Sequence, residues 1–302
     1  MAAHIQPSGL ADEGIAGETA TPPVRRRPRI GSGFEIIVLA IFAIVMLFPV
    51  LWMLETALKD TGDIYAVPAK VISGWTPTLE HVKDVFSSNS PVFSGFKNSV
   101  IVAAASTIIA TLLGVPSAWA YSRFAIPAKK DQLFFILSTR FMPPVVVVIP
   151  VFLMFRDLNL LDTLQGLTLV YAAFNLPFTI WMMKGFIDEV PAEYEEAAML
   201  DGYSRFEAFW RVTMPLLIPG IAATAVFALI FSWNEFVFSI FLITDPGTRT
   251  APSAIAGLIG GTTTDWGLVA ASAMIFAIPV LAFAFLVRKH LVAGVTLGAV
   301  RR

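Results

Sequence analysis

Apolar residues in this chain gather into six long runs that polar segments separate. A transmembrane helix needs about 20 consecutive, predominantly apolar residues, and each of these runs reaches that length. The expected spans cover residues 36–58, 98–121, 132–155, 166–187, 216–244 and 266–287. The pattern therefore predicts an all-α polytopic membrane protein with six transmembrane helices.

Several prolines fall inside or near the expected spans. Transmembrane helices tolerate proline better than soluble helices do, because neighbouring groups can satisfy the freed backbone carbonyls. The adjacent pair Pro143 and Pro144 interrupts the third span, and a bend is predicted there. The bend could serve a movement or only packing, and both interpretations stay open. The other prolines of this kind are Pro116, Pro150, Pro177 and Pro279.

Residues 190–215 form the one long polar interruption in the second half of the chain. They predict two short helices joined by a glycine turn and lying outside the membrane. Pro191 suits the first position of a helix, where its missing N–H is no loss, and Gly202 suits the left-handed position that ends one. Ser204 and Glu207 have the spacing of a capping box that would start the second helix. We call this stretch the EAA segment, after three of its letters.

Aromatic residues follow the expected capping box at helical spacing. Phe206, Phe209, Trp210 and Thr213 are predicted to share one face of the second helix. Pro215 is predicted to end that helix. The first helix carries acidic residues in its opening turns, where the helix dipole favours negative charge.

The spacing within the EAA segment resembles the EAA loop of ABC importer permeases. That loop reads E-A-A, three residues, G, nine residues, I-x-L-P, and this chain differs only by Val for Ile and Met for Leu. In that family the loop is the coupling helix, which docks into a cleft of a separate cytoplasmic ATPase, and small alanines would let a partner backbone approach closely. The alternative is an amphipathic pair of surface helices without a partner. The residues that the resemblance assigns to ATPase coupling are Glu195, Glu196, Ala197, Ala198, Asp201, Gly202 and Pro215.

The composition excludes a soluble globular protein. Of 302 residues, 56% are hydrophobic and 14% are charged, whereas charged residues make up about a quarter of a soluble domain. The net charge of −1 argues against a nucleic-acid partner, which needs a concentrated basic surface. The chain has no cysteine and three histidines far apart in sequence, so no metal site is expected. No Walker A phosphate loop occurs, so ATP is expected to bind on another subunit.

The first 33 residues are rich in alanine, glycine, proline and threonine. They have too few large apolar residues to build a core, so a disordered cytoplasmic tail is predicted, with residues 34–302 as the permease domain. A basic segment before an apolar run is also typical of a signal peptide. However, the run at 36–58 is long enough to span, and no small-residue cleavage site follows promptly. We therefore expect a retained membrane helix.

The distribution of lysine and arginine predicts the orientation of the chain. With the N-terminus inside, fourteen of these residues fall in cytoplasmic segments and six on the opposite side, and Arg140 within a span completes the 21. Cytoplasmic loops carry an excess of Lys and Arg. Both termini and the EAA segment are therefore predicted to be cytoplasmic, on the side where an ATPase would bind.

Two segments are expected on the outer side. Residues 59–97 are predicted to form a short amphipathic excursion on the outer surface. Residues 245–265 contain an apolar, glycine-rich piece that is too short to cross the bilayer. This piece would be re-entrant or interfacial and would face a partner or a substrate entrance. A loop without regular structure is the alternative.

Three further strings extend the resemblance over roughly residues 34–302. YAAFNLPF at 171–178, FSWNEF at 231–236 and LVAGVTLGAV at 291–300 are similar to the MalG-like permease subunits of carbohydrate ABC importers. The resemblance implies a type I importer in a bacterial cytoplasmic (inner) membrane. The implied partners are a second permease, two copies of a P-loop ATPase that holds the ATP and Mg, and an extracytoplasmic sugar-binding protein. In the maltose relatives the C-terminal tail reaches between the ATPases, and residues 295–302 occupy that place here.

Four polar residues in otherwise apolar spans are candidates for the substrate pathway: Arg140, Asn175, Asn234 and Glu235. An intramembrane charge is a functional hypothesis by default, because it is costly unless paired or hydrated. The planar fork of Arg140 suits sugar hydroxyls or an anionic group, or it bonds backbone that nearby prolines free. Asn175 is expected to bond another helix, and Glu235 either pairs with Arg140 or lies near the membrane surface. Trp233 would stack on a sugar or belong to an interfacial belt.

The sequence therefore predicts the permease subunit of an ATP-driven importer for a sugar or sugar derivative, with no catalysis of its own. An ion-coupled secondary transporter is the main alternative. It would need titratable groups at the midplane and two halves with corresponding broken helices, and no internal repeat is apparent. A membrane enzyme would need a catalytic arrangement, but Glu195 and Glu196 are adjacent and project apart on a helix.

Overall fold

The computed structural model describes residues 33–71, 73–260 and 264–298, with side chains through residue 285. The predicted N-terminal tail, except for Gly33, and residues 299–302 of the C-terminal tail lie outside the described residues. Helices make up most of the described chain. In order they are α1 (Gly33–Leu58), α2 (Thr61–Ile64), α3 (Glu80–Val85), α4 (Pro91–Arg123), α5 (Lys129–Arg140), α6 (Pro144–Asp157), α7 (Leu164–Glu189), α8 (Glu193–Leu200), α9 (Arg205–Ala208), a π-turn (Phe209–Thr213), α10 (Met214–Trp233), α11 (Val237–Leu242), α12 (Ala251–Ala256) and α13 (Trp266–Gly298).

The chain divides into two compact units, residues 1–47 and 48–302. The described part of the first unit is residues 33–47, the opening turns of α1, in which Glu35 is the one charged residue. The second unit holds the rest of α1 and all the later helices. Every predicted site residue lies in the second unit.

The number of predicted spans agrees with the structure. Among the described residues, five helices are long and apolar enough to cross a membrane, and a sixth span results if α5 and α6 are counted together. These two helices meet at an angle of 89°. The bend predicted from Pro143 and Pro144 is therefore confirmed. Pro144 is the first residue of α6, a position where the missing N–H costs nothing.

The fifth predicted span, residues 216–244, is not one continuous helix. α10 ends at Trp233 and α11 begins at Val237, with three non-helical residues between them. The prediction was wrong because the apolar run continues through the break, so hydropathy does not mark it. Irregular backbone at membrane depth is tolerated where it is buried in protein or lines a cavity.

Among the described helices, α4 and α7 make the most extensive contact. They cross closely at Gly114, where an added Cβ would lie 2.5 Å from Thr179 Cγ2. α10 packs on the same pair, and a Cβ at Gly220 would lie 2.6 Å from the ring of Phe186. Small residues at such crossings let helix backbones approach, as is usual in membrane proteins. This three-helix bundle positions both sites described below.

The segments expected on the outer side contain more regular structure than predicted. α4 begins at Pro91 rather than near residue 98, and the hydroxyl of Ser90 caps it by accepting from the Phe93 N–H at 3.4 Å. α12 packs against α4 and α13. Its first N–H, from Ala251, donates to Ser99 Oγ at 2.9 Å. A loop without regular structure is therefore ruled out for residues 251–256.

Asp162 joins the loop after α6 to the chain after α11. Its carboxylate accepts from the Asp245 N–H at 2.9 Å and from the Thr244 hydroxyl at 2.8 Å. Partial burial opposes ionisation, but these bonds outweigh it and lower the pKa of Asp162. The ionised carboxylate therefore stabilises the fold at neutral pH, and this contribution is lost as the pH falls through the lowered pKa.

We expect Asp162→Asn to lower the melting temperature of the detergent-solubilised protein at pH 7. The difference from the wild type should begin to close as the pH falls below about 4, where Asp162 of the unfolded chain is protonated first. It should close fully once the pH falls through the lower pKa of the folded protein. Asp157→Asn is the matched control, since Asp157 is exposed and, within the described part of the chain, its carboxylate pairs only with the neighbouring Arg156. An equal effect of both substitutions would contradict the role given to Asp162.

Candidate functional site: the EAA segment and a pocket between two helix breaks

The first helix of the EAA segment, α8, ends as the sequence predicts. Gly202 has φ +95°, and the N–H groups of Gly202 and Tyr203 donate to the carbonyls of Met199 and Ala198, both at 3.1 Å. This pattern is a Schellman motif, which satisfies the last carbonyls of a helix. The start differs from the prediction. Ala192 is the N-cap, so Pro191 lies before the helix and not at its first position.

The second helix also begins as predicted but does not end at Pro215. Ser204 Oγ accepts from the Glu207 N–H, and the Glu207 carboxylate accepts from the Ser204 N–H at 2.9 Å, which completes the capping box. The chain then passes through the π-turn directly into α10. Pro215 lies in the first turn of α10. The π-turn before it ends at Met214, whose N–H bonds to the carbonyl of Phe209. A proline at that point needs no N–H partner, so the helix continues.

The predicted common face of the second helix is split in the structure. Phe209 and Thr213 are fully buried, whereas Phe206 and Trp210 are exposed. Phe209 stacks on Trp119 of α4, with 4.6 Å between ring centroids. The π-turn adds a residue to this turn, so the 3.6-residue period used for the prediction does not hold through it.

The inner face of α8 is anchored through Glu195, which is only 4% exposed. Its carboxylate accepts from the Trp119 indole N–H at 3.1 Å and from the Thr213 hydroxyl at 2.7 Å. The guanidinium of Arg123 donates to it at 3.0 Å. A buried carboxylate needs such partners, because an unpaired buried charge is costly. Ala198 is also buried on this face, so its side chain packs against the chain itself.

The outer face of α8 and the residues after it form an exposed apolar surface. Glu196 and Ala197 are exposed there, so adjacent Glu195 and Glu196 point apart as predicted. Leu200 is 90% exposed. The other large exposed side chains are Tyr194, Tyr203, Phe206 and Trp210. Exposed apolar surface of this kind marks sites of interaction with other proteins or membranes. We call these five large side chains, together with Glu196 and Ala197, the outer surface of the EAA segment.

Three of the four predicted pathway residues come together in one pocket. Arg140 lies at the bend after α5, Glu235 in the break between α10 and α11, and Asn175 in the middle of α7, and all three line the same pocket. Tyr171 lines it too. Its hydroxyl is buried and has no hydrogen-bond partner among the described residues. Two helix breaks therefore meet at a polar pocket within the apolar bundle.

Asn175 bonds a neighbouring helix, as predicted. Its side-chain amide donates to the Ala228 carbonyl at 3.2 Å and to Ser232 Oγ at 2.7 Å, both in α10. Ser232 Oγ also lies 2.9 Å from Ser106 Oγ of α4. These hydroxyls and the amide link the three helices of the bundle, and such bonds contribute roughly 0.6 to 2 kcal/mol each in membrane proteins.

Arg140 and Glu235 share the pocket but form no ion pair within 4.0 Å among the described residues. The guanidinium of Arg140 lies over the ring of Phe231, 4.6 Å from its centroid, and donates no hydrogen bond within the described chain. Glu235 accepts from the Phe238 N–H at 3.1 Å and so caps α11. The predicted pairing is therefore not present, and the proposed bonding of Arg140 to proline-freed backbone is not seen either.

The fourth predicted pathway residue, Asn234, has a local role. Its side-chain amide donates to the Ile230 carbonyl at 2.8 Å, within the last turn of α10. Trp233 is buried, stacks on Phe276 at 5.4 Å and donates to its carbonyl at 3.3 Å. Neither interpretation of Trp233, a sugar platform or an interfacial belt, fits a buried side chain.

Sequence reasoning missed Arg123, Trp119, Thr213 and Tyr171. Arg123 was counted only as a cytoplasmic charge, although Trp119 stands four residues before it and shares its helix face. Their common partner Glu195 is 72 residues away from Arg123, so no local pattern reveals the cluster. Tyr171 carried no signal beyond its polar hydroxyl within an apolar span.

The chain belongs to the family of binding-protein-dependent transport system inner membrane components, whose model matches residues 91–296. This match covers α4 to α13 and both sites. It confirms the family that the EAA spacing indicated, and with it a multi-pass membrane permease.

Similar proteins are permease subunits of ABC transporters rather than enzymes. The putative ABC transporter permease protein ORF1 of Streptomyces antibioticus is 38% identical over 225 residues, which cover 74% of this chain and 98% of that protein. The trehalose transport system permease protein SugB of Mycobacterium tuberculosis is 33% identical, with 84% and 92% covered. A crystal structure of a bacterial ABC transporter involved in the import of the acidic polysaccharide alginate contains a similar chain. Its TM-score is 0.72 at 23% identity, with 89% and 99% covered, so the fold is shared.

Proposed function

We propose that this chain is the permease subunit of an ATP-driven importer for a sugar or sugar derivative. The observation that carries the proposal is the EAA segment, which presents an exposed apolar outer surface while its inner face is anchored in the membrane helices. An exposed apolar surface on a helix that is anchored to the membrane helices suits a binding partner that transmits a conformational change through it. In this family setting, the partner is a cytoplasmic ATPase.

The proposed assembly has four kinds of subunit. A second permease completes the translocation pathway, two copies of a P-loop ATPase bind ATP and Mg, and an extracytoplasmic binding protein delivers the sugar. The positive-inside count supports a cytoplasmic EAA segment and cytoplasmic termini in a bacterial cytoplasmic membrane. The family description, which names binding-protein-dependent transport, supports the binding protein.

The proposal of a sugar substrate is supported by the similar proteins and by the pocket. A similar permease is named for trehalose, and the similar fold belongs to an alginate importer. In the pocket, Arg140 offers donors and Glu235 offers acceptor oxygens, and the hydroxyl of Tyr171 can do either. Sugar hydroxyls need one donor and one acceptor each, so this arrangement suits them. We propose that Arg140, Asn175 and Glu235 line the substrate pathway.

We expect Arg140→Ala to reduce uptake by about tenfold or more, the factor for losing one hydrogen bond to a charged group. The measurement is uptake of radiolabelled sugar at matched amounts of membrane-inserted protein. Arg140→Lys is the control, because it keeps the charge but loses the planar fork. If an anionic group on the sugar is recognised, neutral sugars should be spared. Equal losses for neutral and anionic sugars, together with a lower melting temperature, would point to a structural arginine.

The architecture is tested by affinity purification of the tagged chain from membranes of its native host, followed by mass spectrometry. We expect a P-loop ATPase and a second permease to be recovered with it, and an attached solute-binding protein would indicate the sugar. A chain recovered alone would contradict the coupling role and favour an ion-coupled transporter.

A further inference from the structure

Arg123 lies outside the outer surface of the EAA segment, yet it contacts three helix ends or helices behind that surface. It is the last residue of α4. Its Nε donates to Glu195 of α8 at 3.0 Å, and its Nη2 donates to the carbonyls of Ile187 at 3.3 Å and Val190 at 2.7 Å, at the end of α7. One guanidinium therefore joins α4, α7 and α8.

The ion pair at the centre of this junction is closed to solvent. The side chains of Arg123 and Glu195 are 12% and 5% exposed, and Trp119 and Thr213 occupy further acceptor positions of the carboxylate. Charged hydrogen bonds are shorter and about twice as strong as neutral ones, and a planar guanidinium fixes direction as well as distance. Removing one partner of a buried pair leaves an uncompensated charge. The junction therefore has one well-defined geometry.

We infer that Arg123 is a positioning residue that makes α8 move as one body with α4 and α7. The inference rests on the proposed coupling to an ATPase. A displacement of α8 by the ATPase passes through the ion pair to the end of α4 and through the two carbonyl bonds to the end of α7. Without Arg123, α8 keeps its chain connections and the bonds of Glu195 to Trp119 and Thr213. Glu195 is then a buried charge without its cationic partner, and the side-chain link to the end of α7 is lost, so α8 can tilt with less movement of the membrane helices.

The same end of the bundle offers a matched control. Lys184 also lies near the end of α7, where it pairs with Asp188 of the same helix, and the two side chains are 20% and 45% exposed. Asp188 also accepts from Ser122 of α4 at 2.6 Å. A charge removed at Lys184 therefore leaves the bonds of Arg123 in place, whereas the same change at Arg123 removes its bonds to Glu195, Ile187 and Val190.

The test uses the whole complex, purified from native membranes through a tag on this chain and placed in nanodiscs. The chain contains no cysteine, so a single Gln165→Cys at the exposed, opposite end of α7 takes a maleimide fluorophore on this chain. The fluorescence change on addition of ATP with vanadate then reports whether closure of the ATPase moves this end of α7. ATP hydrolysis is measured on the same samples, and no sugar needs to be known.

In the Gln165→Cys background we expect a clear ATP-dependent fluorescence change, which Lys184→Gln leaves intact. Arg123→Gln should still co-purify with the ATPase and hydrolyse ATP, but most of its fluorescence change should be lost, because its bonds to α8 and to the end of α7 are removed. Arg123→Lys should recover part of the change, because it restores the charge but not both carbonyl bonds. A full fluorescence change in Arg123→Gln would overturn the inference alone. Absence of the ATPase from the Gln165→Cys complex would overturn the proposed function and the inference with it.

A milder variant covers the case in which Arg123→Gln does not assemble. Arg123→Lys keeps the positive charge beside Glu195 but cannot make the bonds to Glu195, Ile187 and Val190 together. We expect faster hydrogen exchange of the α8 amides in the complex, with α4 and α7 still protected. Unchanged exchange in α8 would show that the bonds of Arg123 do not fix its position and would overturn the inference.

Discussion

Gly202→Pro is expected to abolish uptake while leaving the chain inserted in the membrane. Gly202 has φ +95°, whereas the proline ring fixes φ near −65°. The substitution also removes the N–H that bonds to the Met199 carbonyl. The turn between α8 and α9 must therefore open, and the two parts of the outer surface separate. Insertion should persist, because the turn lies between the membrane helices and not within one.

The measurements for Gly202→Pro are sugar uptake and the amount of protein in purified membranes. Gly202→Asn is the matched control, since asparagine tolerates the left-handed region better than other side chains. Apart from the two chain neighbours, no atom of the described residues lies within 4 Å of an added Cβ. Gly202→Asn should retain most of the uptake. Gly202→Ala should give uptake between that of the asparagine and proline variants, because the left-handed turn costs alanine about 1–2 kcal/mol. Normal uptake by the proline variant would contradict a coupling role for the EAA segment.

Leu200→Gln is expected to weaken binding of the ATPase by about tenfold or more. Leu200 is 90% exposed at the end of α8, so it contributes little to the fold of this chain. Burying such a side chain in an interface contributes about 1.5–3 kcal/mol, which corresponds to about 10- to 100-fold in affinity. Glutamine keeps the length and the helix propensity of leucine but not its apolar surface.

The measurement for Leu200→Gln is the ratio of ATPase to tagged chain after purification under increasing dilution. Leu79→Gln provides the comparison, because Leu79 is also an exposed leucine outside the spans but lies next to α3, far along the chain from the EAA segment. It should keep the normal ratio. Equal ratios in both variants would mean that the ATPase does not contact Leu200.

Features that depend on local chemistry were predicted well. The left-handed Gly202 and the capping box of Ser204 and Glu207 each follow from a few neighbouring residues, and the structure has both. The bend at Pro143 and Pro144 follows from the missing N–H groups of proline. The number of spans follows from length and apolarity alone, although the fifth one is interrupted after Trp233. Assignment to the ABC permease family rested on the EAA spacing, and the family match confirms it.

Features that depend on distant partners or on one extra residue were not predicted. The break between α10 and α11 lies in an apolar run, and it forms where Glu235 caps the new helix. The anchor of Glu195 needs Arg123 and Trp119, more than 70 residues earlier in the chain. Pro215 was assigned as an end because a proline often stops a helix, but here the preceding π-turn places it in a first turn. The roles of the coupling and pathway residues stay predictions.

The π-turn at Phe209–Thr213 fixes the direction in which the outer surface of the EAA segment points. Its Met214 N–H reaches back five residues to Phe209, so the turn holds one residue more than an α-helical turn. Deleting that residue would restore the regular helix and rotate everything before it by about 100° around the axis of α10. The rotation would turn the apolar surface towards a different neighbour. A one-residue gap at this place in a related permease would therefore indicate that the outer surface of its EAA segment points in another direction.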